Sequence, residues 1–434
     1  MNKIISHQDN LNLKPSNQWK LKILMLSWEY PPNIVGGLSR HVYGLSVQLA
    51  ELGHDVHVLT AGNRDLPSFE RMDGVTVHRL KPVNEQDENF LSWIGGLNLA
   101  MAFKAEKLFE EIKFDIIHAH DWLVGAASIT LRELLDIPLL TTIHATEHGR
   151  NNGIHSEMQQ FIDKKEKQLI SESDQLIVCS EYMKDELISI FKVRDEKIVI
   201  ISNGFEHLTT ELSAREIFPE LTQKKYIFSI GRIVKEKGFD TILEAAAIAK
   251  EKELACFFVI AGKGPMLEKY RSQIIKQKLE SHVLFVGYIS DEQRNALIEG
   301  SEMAVIPSLY EPFGIVALET MILGKPTIVS NTGGMKGIVK HLQTGLLMVP
   351  GNPESLLEQI EFLIENPQKA DEIGKKGRQI VKSLYGWNRI ASETSRVMED
   401  TLLNHRMNRT VQKEHQKICE KGVCDDKSNR IAKK

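Results

Sequence analysis

One pattern governs what this chain can fold into. Short apolar runs, most of them without alternation, keep returning, each followed by a loop and then a segment with apolar residues at helical spacing. A run of four to eight such residues is a strand buried on both faces, and strands of that kind belong to parallel sheets covered by helices. The unit is complete within the first sixty residues. Run Leu21–Ser27 leads into a loop, Trp28–Gly37, holding Pro31, Pro32 and the pair Gly36-Gly37. Helical spacing over Leu38–Leu52 stops at Gly53, and a second run covers His54–Ala61. This is a βαβ unit. Runs at Val75–Leu80, Phe114–Ala119, Leu139–Ile143, Gln175–Cys179 and Ile198–Ile201 extend it. The periodicity breaks over Glu206–Gln223 and restarts at Tyr226–Ile230, continuing through Cys256–Ala261, Val283–Val286, Met303–Ile306 and Pro326–Ser330. The expected fold class is α/β, with two Rossmann-like domains, 21–210 and 224–386, facing each other across a central cleft. A last helix is expected over Asn388–Leu403. The length agrees, since 434 residues suit two cores of about 200 residues each.

Composition narrows the class further. Hydrophobic residues make up 42% and charged residues 26%, which suits an ordinary soluble globular protein. The net charge of -4 supplies no overall basic field, so no specific nucleic-acid partner is expected. No apolar run reaches the roughly 20 residues that span a bilayer. Residues 1–20 are polar and read as a flexible lead without an apolar signal core. Cys179 and Cys256 lie inside apolar runs, as small buried hydrophobes in a reducing, cytoplasmic compartment. Residues 404–434 carry nine Lys or Arg against four Asp or Glu and read as a basic disordered tail. That tail leaves room for peripheral membrane contact, but no aromatic residues are interleaved for stacking on nucleic acid. His415, Cys419 and Cys424 are three loosely spaced groups, short of a zinc signature. Monomer and homodimer both remain open.

Ligands of parallel α/β sheets sit beyond the carboxyl ends of strands, and the candidate residues cluster there. Gly36 and Gly37 stand between a strand and a helix, where glycine permits close backbone approach and the helix N-terminus favours an anion. A plain turn is the alternative. In Gly231-Arg232-Ile-Val-Lys235-Glu-Lys237-Gly238, Arg232 offers a planar fork of donors and Lys237 a mobile point charge, both suited to a diphosphate. Lys235 and Glu236 read as a solvated pair. Tyr310-Glu311-Pro312-Phe313-Gly314 is another strand-to-helix loop, and the amides of Phe313, Gly314 and Ile315 are free helix donors for phosphate oxygens. The helical part of the separation between Glu311 and Glu319 spans roughly 8 Å, so the two need not form an acid/base pair on one bond. They suit hydroxyl groups at opposite ends of an elongated ligand. His118 and His120 share a face at a strand end, His120 beside Asp121 and Trp122. His144-Ala-Thr-Glu147-His148 matches the H-x-x-E-H pattern of zinc hydrolases. That chemistry needs both histidines on one helix, whereas this stretch directly follows a strand, so no metal is expected.

Taken together these motifs resemble the retaining glycosyltransferase family 4, whose members adopt the GT-B fold and include glycogen synthases, sucrose-phosphate synthases and mannosyltransferases. The resemblance runs from about Leu21 to Leu403. It is strongest over Pro307–Glu319, similar to the family's E-x7-E signature, and continues in Gly231-Arg232…Lys237-Gly238, Gly262-x-Gly264-Pro265 and Asn203-Gly204. It implies that Arg232 and Lys237 neutralise the donor diphosphate, that Glu319 binds the ribose and that Glu311 binds sugar hydroxyls. Phe313, Gly314 and Ile315 would hold diphosphate or sugar through backbone groups. Gly36 and Gly37 would approach the donor from the first domain, Gly264 would belong to the donor side, and His120 would contact the sugar near its 6-hydroxyl. Transfer with retention and no required cofactor or metal is implied, as is a last helix, with Trp387, crossing back to the first domain. Two positions depart from the pattern: Gly204-Phe205-Glu206 replaces the frequent Gly-Val-Asp, and Val35 stands where glycogen synthases carry lysine. Glu29-Tyr-Pro-Pro32, His118–Trp122 and His144–Arg150 look most like members that make α-glucans or maltose 1-phosphate from ADP-glucose. Glucose from ADP-glucose or UDP-glucose is the expected transfer, to a saccharide or sugar-phosphate acceptor facing Glu147 and Arg150. A nucleotide-sugar epimerase of the same architecture and a non-catalytic nucleotide-sugar-binding protein are the competing readings.

Overall fold

A computed structural model describes residues 19–63, 65–205 and 211–420, with side chains through Val411. The strands are β1 Lys22–Leu26, β2 Asp55–Ala61, β3 Phe69–Met72, β4 Val75–Leu80, β5 Ile116–His120, β6 Leu139–Ile143, β7 Gln175–Val178 and β8 Ile198–Ile200 in one sheet. The second sheet holds β9 Ile227–Ile230, β10 Phe258–Ala261, β11 Val283–Gly287, β12 Met303–Ile306, β13 Thr327–Ser330 and β14 Leu346–Met348. Their spatial orders are β3-β4-β2-β1-β5-β6-β7-β8 and β11-β10-β9-β12-β13-β14. All pairings are parallel except β3 with β4.

The unalternating strands behave as their composition requires. Along β1, Ile23 and Met25 point into one hydrophobic cluster with Val42, Leu45 and Leu49 of helix Gly37–Glu51. Leu24 and Leu26 point into another, with Leu97 and Met101 of helix Phe90–Glu111. The second sheet repeats this: Phe258 and Ile260 serve one face, Val259 and Ala261 the other. Full burial of each such side chain contributes about 1.5–3 kcal/mol, so a strand apolar on both sides needs a helical layer on each. A further cluster joins the domains, bringing Ile143 and Met183 together with Phe313, Ala317 and Met321.

The structure adds two strands to the expected set. Phe69–Met72 is half-exposed and pairs antiparallel at the sheet edge, so it lacks the apolar run that marks a buried strand. Leu346–Met348 is three residues long at the other sheet's edge, paired only with β13. The end of the chain is a correction. The last helix runs Trp387–Glu420, so residues 404–420 are helical rather than a disordered tail. No Gly or Pro interrupts them, and Arg406 and Arg409 reach Asp115 and Asp136 of the first domain. The expected lead through residue 18, Glu206 and the tail from 421, with Cys424, lie outside the described residues. So do the side chains of His415 and Cys419. The start of this helix, Ile390, Ala391, Met398 and Leu402, is buried in the first domain's core. Among the described residues no helix is long and apolar enough to cross a membrane.

Candidate active site

Each sheet reverses its strand order once, between β1 and β5 in the first and between β9 and β12 in the second. Loops leaving neighbouring strands at such a point turn in opposite directions and open a crevice. The two crevices face each other and form one cleft of about 510 Å³.

The second domain supplies most of the charge. Lys237 Nζ donates to Glu311 Oε2 at 2.6 Å, and Ser308 Oγ donates to the same oxygen at 3.0 Å. Arg232 sits half-exposed at the mouth, 3.3 Å from Glu236. The loops that carry these groups are fastened to each other. Leu309 and Tyr310 donate their amides to the Glu236 carbonyl, and a side chain at Gly238 (φ +67°) would strike the Pro307 carbonyl. Gly333 plays the same part behind Glu311, whose carbonyl a Cβ there would meet at 2.0 Å. Helix Ile315–Ile322 begins at Gly314 (φ +116°), so its first amides open towards the cleft. Glu319 lines the cleft within that helix and is held by the buried Arg294 at 3.1 Å.

The first domain closes the other side. Glu29 accepts the amides of Val35 at 2.5 Å and Gly36 at 3.2 Å, which fixes the Gly36-Gly37 loop at the start of its helix. Burial lifts the Glu29 carboxyl to about 7. Gly37 lies opposite Ile315, where a Cβ would come within 3.0 Å of the Ile315 side chain. Asp121 combines a positive φ of 60° with an extended ψ of 172°, a conformation that costs a residue with a side chain. Its carboxylate accepts the His144 amide at 2.7 Å, and burial raises it to about 6. His120 is fully buried behind this wall, with Nδ1 3.1 Å from His144 Nε2 and its own Nε2 unpartnered. Burial holds His41, His118 and His120 well below the usual histidine range, and His144 at about 3.

Most of the expected residues therefore meet. Gly36, Gly37, Arg150, Arg232, Lys237, Glu311, Phe313, Gly314, Ile315 and Glu319 all line the cleft. Gly264 does not: it packs on the Ile233 backbone, which a Cβ would approach to 2.4 Å. Glu147 and His120 stand back from the lining, and Glu147 bonds Asn151 instead. The zinc-hydrolase pattern is split, because helix Glu147–Asn151 includes His148 and leaves His144 outside. Sequence reasoning missed Arg40, which reaches from the first domain to Glu319 at 3.3 Å and also pairs with Asp291. It also missed the depth of Tyr310. The Tyr310 hydroxyl donates to Glu186 at 3.2 Å and accepts the Thr146 amide at 3.3 Å, both in the first domain. Nothing in the sequence signals a contact made only when two domains meet.

Two parallel-sheet domains whose switch-point loops converge on paired cations and carboxylates define the GT-B class of glycosyltransferase. The chain belongs to the GT-B glycosyltransferases that two family models describe: residues 35–207 match Glycosyltransferase Family 4, and residues 212–380 match Glycosyl transferases group 1. An uncharacterized glycosyltransferase of Methanocaldococcus jannaschii is 34% identical over 388 residues, covering 87% of this chain and 97% of the relative. A glycogen synthase of Mycobacterium tuberculosis is 33% identical over 392 residues, covering 87% and 94%. The sucrose-phosphate synthase structure from Thermosynechococcus elongatus shares the fold, with a TM-score of 0.79, 23% identity, and coverage of 88% of this chain and 100% of that one.

Proposed function

We propose that this protein is a retaining hexosyltransferase that moves glucose from a nucleoside-diphosphate donor, ADP-glucose or UDP-glucose, to a saccharide or sugar-phosphate acceptor. The observation that carries the reading is the Lys237–Glu311 contact of 2.6 Å beside the open start of helix Ile315–Ile322. A cation, free backbone donors and a carboxylate then stand within one loop pair. Arg232 and Lys237 offset the charge of the diphosphate and the charge that grows on the leaving group as the glycosidic bond breaks. Glu311 accepts from sugar hydroxyls, and Glu319 accepts from the ribose. Nε2 of His120 donates to or accepts from the sugar's 6-hydroxyl once the wall shifts. The acceptor enters from the Arg150 side, and its hydroxyl attacks on the face the nucleotide leaves, so no enzymatic nucleophile is required. Closing the domains excludes water from the reacting centre. The family relationship and the similarity to a glycogen synthase support this choice of chemistry.

The test is a panel of nucleotide sugars against small sugars, sugar phosphates and glucans, with products read by mass and anomeric configuration by NMR. Transfer of glucose with retention, released nucleoside diphosphate matching glycoside formed, is the expected result. Lys237→Ala should lower kcat/KM by about 100-fold or more, the scale on which loss of one stabilising donor acts. Unchanged kcat/KM in that variant, or interconversion of donor sugars without transfer, would overturn the proposal.

A further inference from the structure

Three buried histidines converge beneath the cleft wall from three separate elements. His41 stands in the second turn of helix Gly37–Glu51, His120 ends β5, and His144 follows β6. A ring nitrogen of each lies within 4.8 Å of those of the other two. We propose that His41, His120 and His144 form a binding site for a divalent transition-metal ion, with zinc the ion that an all-imidazole set suits best.

The hydrogen bonding motivates it. A neutral imidazole carries one N–H and one lone pair, and both seek partners when buried. Only one bond is made inside the trio, between His120 Nδ1 and His144 Nε2 at 3.1 Å. Both ring nitrogens of His41 and Nε2 of His120 are buried with no hydrogen-bond partner. Asn203 is the side chain that comes within hydrogen-bonding reach of the His41 ring, yet no bond of good geometry forms and the Asn203 Oδ1 is itself unpartnered. Three imidazoles gathered in this way leave lone pairs that a metal ion would take up.

The spacing fits as well. Zinc holds imidazole nitrogens at about 2.0–2.1 Å in a tetrahedral array, so ligand atoms stand roughly 3.4 Å apart. The His120–His144 pair is already at that separation, and a side-chain rotation of His41 brings in the third. Nitrogen ligands with no carboxylate among them disfavour magnesium and calcium, which seek oxygen. Asp121, whose carboxylate accepts the His144 amide, supplies negative charge in the next layer. Arg150 lies in the field of both His144 and Asp121, so the two opposite charges near the site offset one another. His144 lines the large cleft and His41 a smaller cavity behind it, so the fourth coordination position can open to solvent.

The inference shares His120 with the proposed transfer reaction, which uses Nε2 where the metal would use Nδ1, and its test reads metal rather than turnover. The full chain, stripped with chelator and dialysed against limiting Zn²⁺, should retain one zinc per chain by mass spectrometry. X-ray absorption should report three imidazole nitrogens and one solvent oxygen with no sulfur, and Co²⁺ substitution should give the visible bands of a four-coordinate site. His41→Gln and His144→Gln should each weaken zinc binding by more than the roughly 10–100-fold that loss of an outer-layer partner costs. His78→Gln, in a buried histidine pair elsewhere, should leave it unchanged. A folded chain that retains no zinc overturns the proposal. So does sulfur scattering, which would put the ion on Cys419 and Cys424. Affinity that survives both substitutions does the same. Should either variant fail to fold, the wild-type absorption spectra decide alone.

Discussion

Glu166 shows how far one side chain can carry a pH dependence. It is 2% exposed, and its two oxygens accept the Glu147 amide at 2.9 and 3.1 Å. Burial lifts its carboxyl from the ordinary 4.5 to about 8. Between those values the folded chain keeps a proton that the unfolded chain has lost. Stability from this group is therefore fully present below about 4.5 and falls as pH rises through about 8, by up to about 1.4 kcal/mol per pH unit. Glu166→Gln should flatten that slope. Urea unfolding of both proteins from pH 5 to pH 8 measures it, and parallel slopes would exclude Glu166 as the source. In the sequence, Glu166 is one charge within Lys164-Lys-Glu-Lys167, indistinguishable from a solvated helix face. Its burial arises only when helix Glu147–Asn151 packs across helix Glu157–Glu172. Lys237 and Glu311 were legible as cleft residues because each stands in a loop just after a strand, where chain order already implies position, and Glu319 because its helix is mostly apolar around it. Arg40 was not, because its partners Asp291 and Glu319 lie some 250 residues or more away, in the other domain.

Among the elements, the helix from Trp387 depends on two glycines for its seat. A Cβ on Gly44 would lie 2.3–2.6 Å from the Trp387 indole, and one on Gly204 2.3–2.7 Å from it. The indole thus lies directly on the backbone of helix Gly37–Glu51, edge-on to His41 at 5.6 Å between ring centroids. Gly44→Ala should therefore lower stability despite improving helix propensity, with overpacking costing about 1–3 kcal/mol. Hydrogen exchange should show Ile390–Leu402 losing protection before the sheet does. A neutral or stabilised Gly44→Ala protein would mean the indole has room to slide. The strand–helix alternation made most elements readable, since each strand needs apolar residues on both faces and says so locally. The extension over residues 404–420 was unreadable for the opposite reason. It lacks an apolar stripe, and among its described contacts Arg406 to Asp115 and Arg409 to Asp136 are charge contacts that leave no periodic trace.

At the scale of the molecule the domains meet on two unlike contacts. One is apolar and pinned by Tyr310, whose ring also fills the space against Gly149. The other is ionic, with Arg40 spanning from the first domain to Asp291 and Glu319. The apolar contact suits a pivot, because separating it exposes hydrophobic surface. The ionic contact is partly exposed and can part at little cost, since such pairs contribute about 0.2–1 kcal/mol. In the proposed function Glu319 receives the donor ribose, so Arg40 and the ribose compete for one carboxylate. Arg40→Met keeps the length of the stem and removes the competitor. It should tighten binding of ADP or UDP by up to about fivefold, the factor that corresponds to about 1 kcal/mol. Titration calorimetry at low and high salt gives the measurement, and the advantage of the variant should shrink as salt screens the wild-type pair. Weaker binding by Arg40→Met would mean that the guanidinium grips the nucleotide itself. The ion pair would then be a grip waiting for its ligand, and the domains would already stand in their working arrangement.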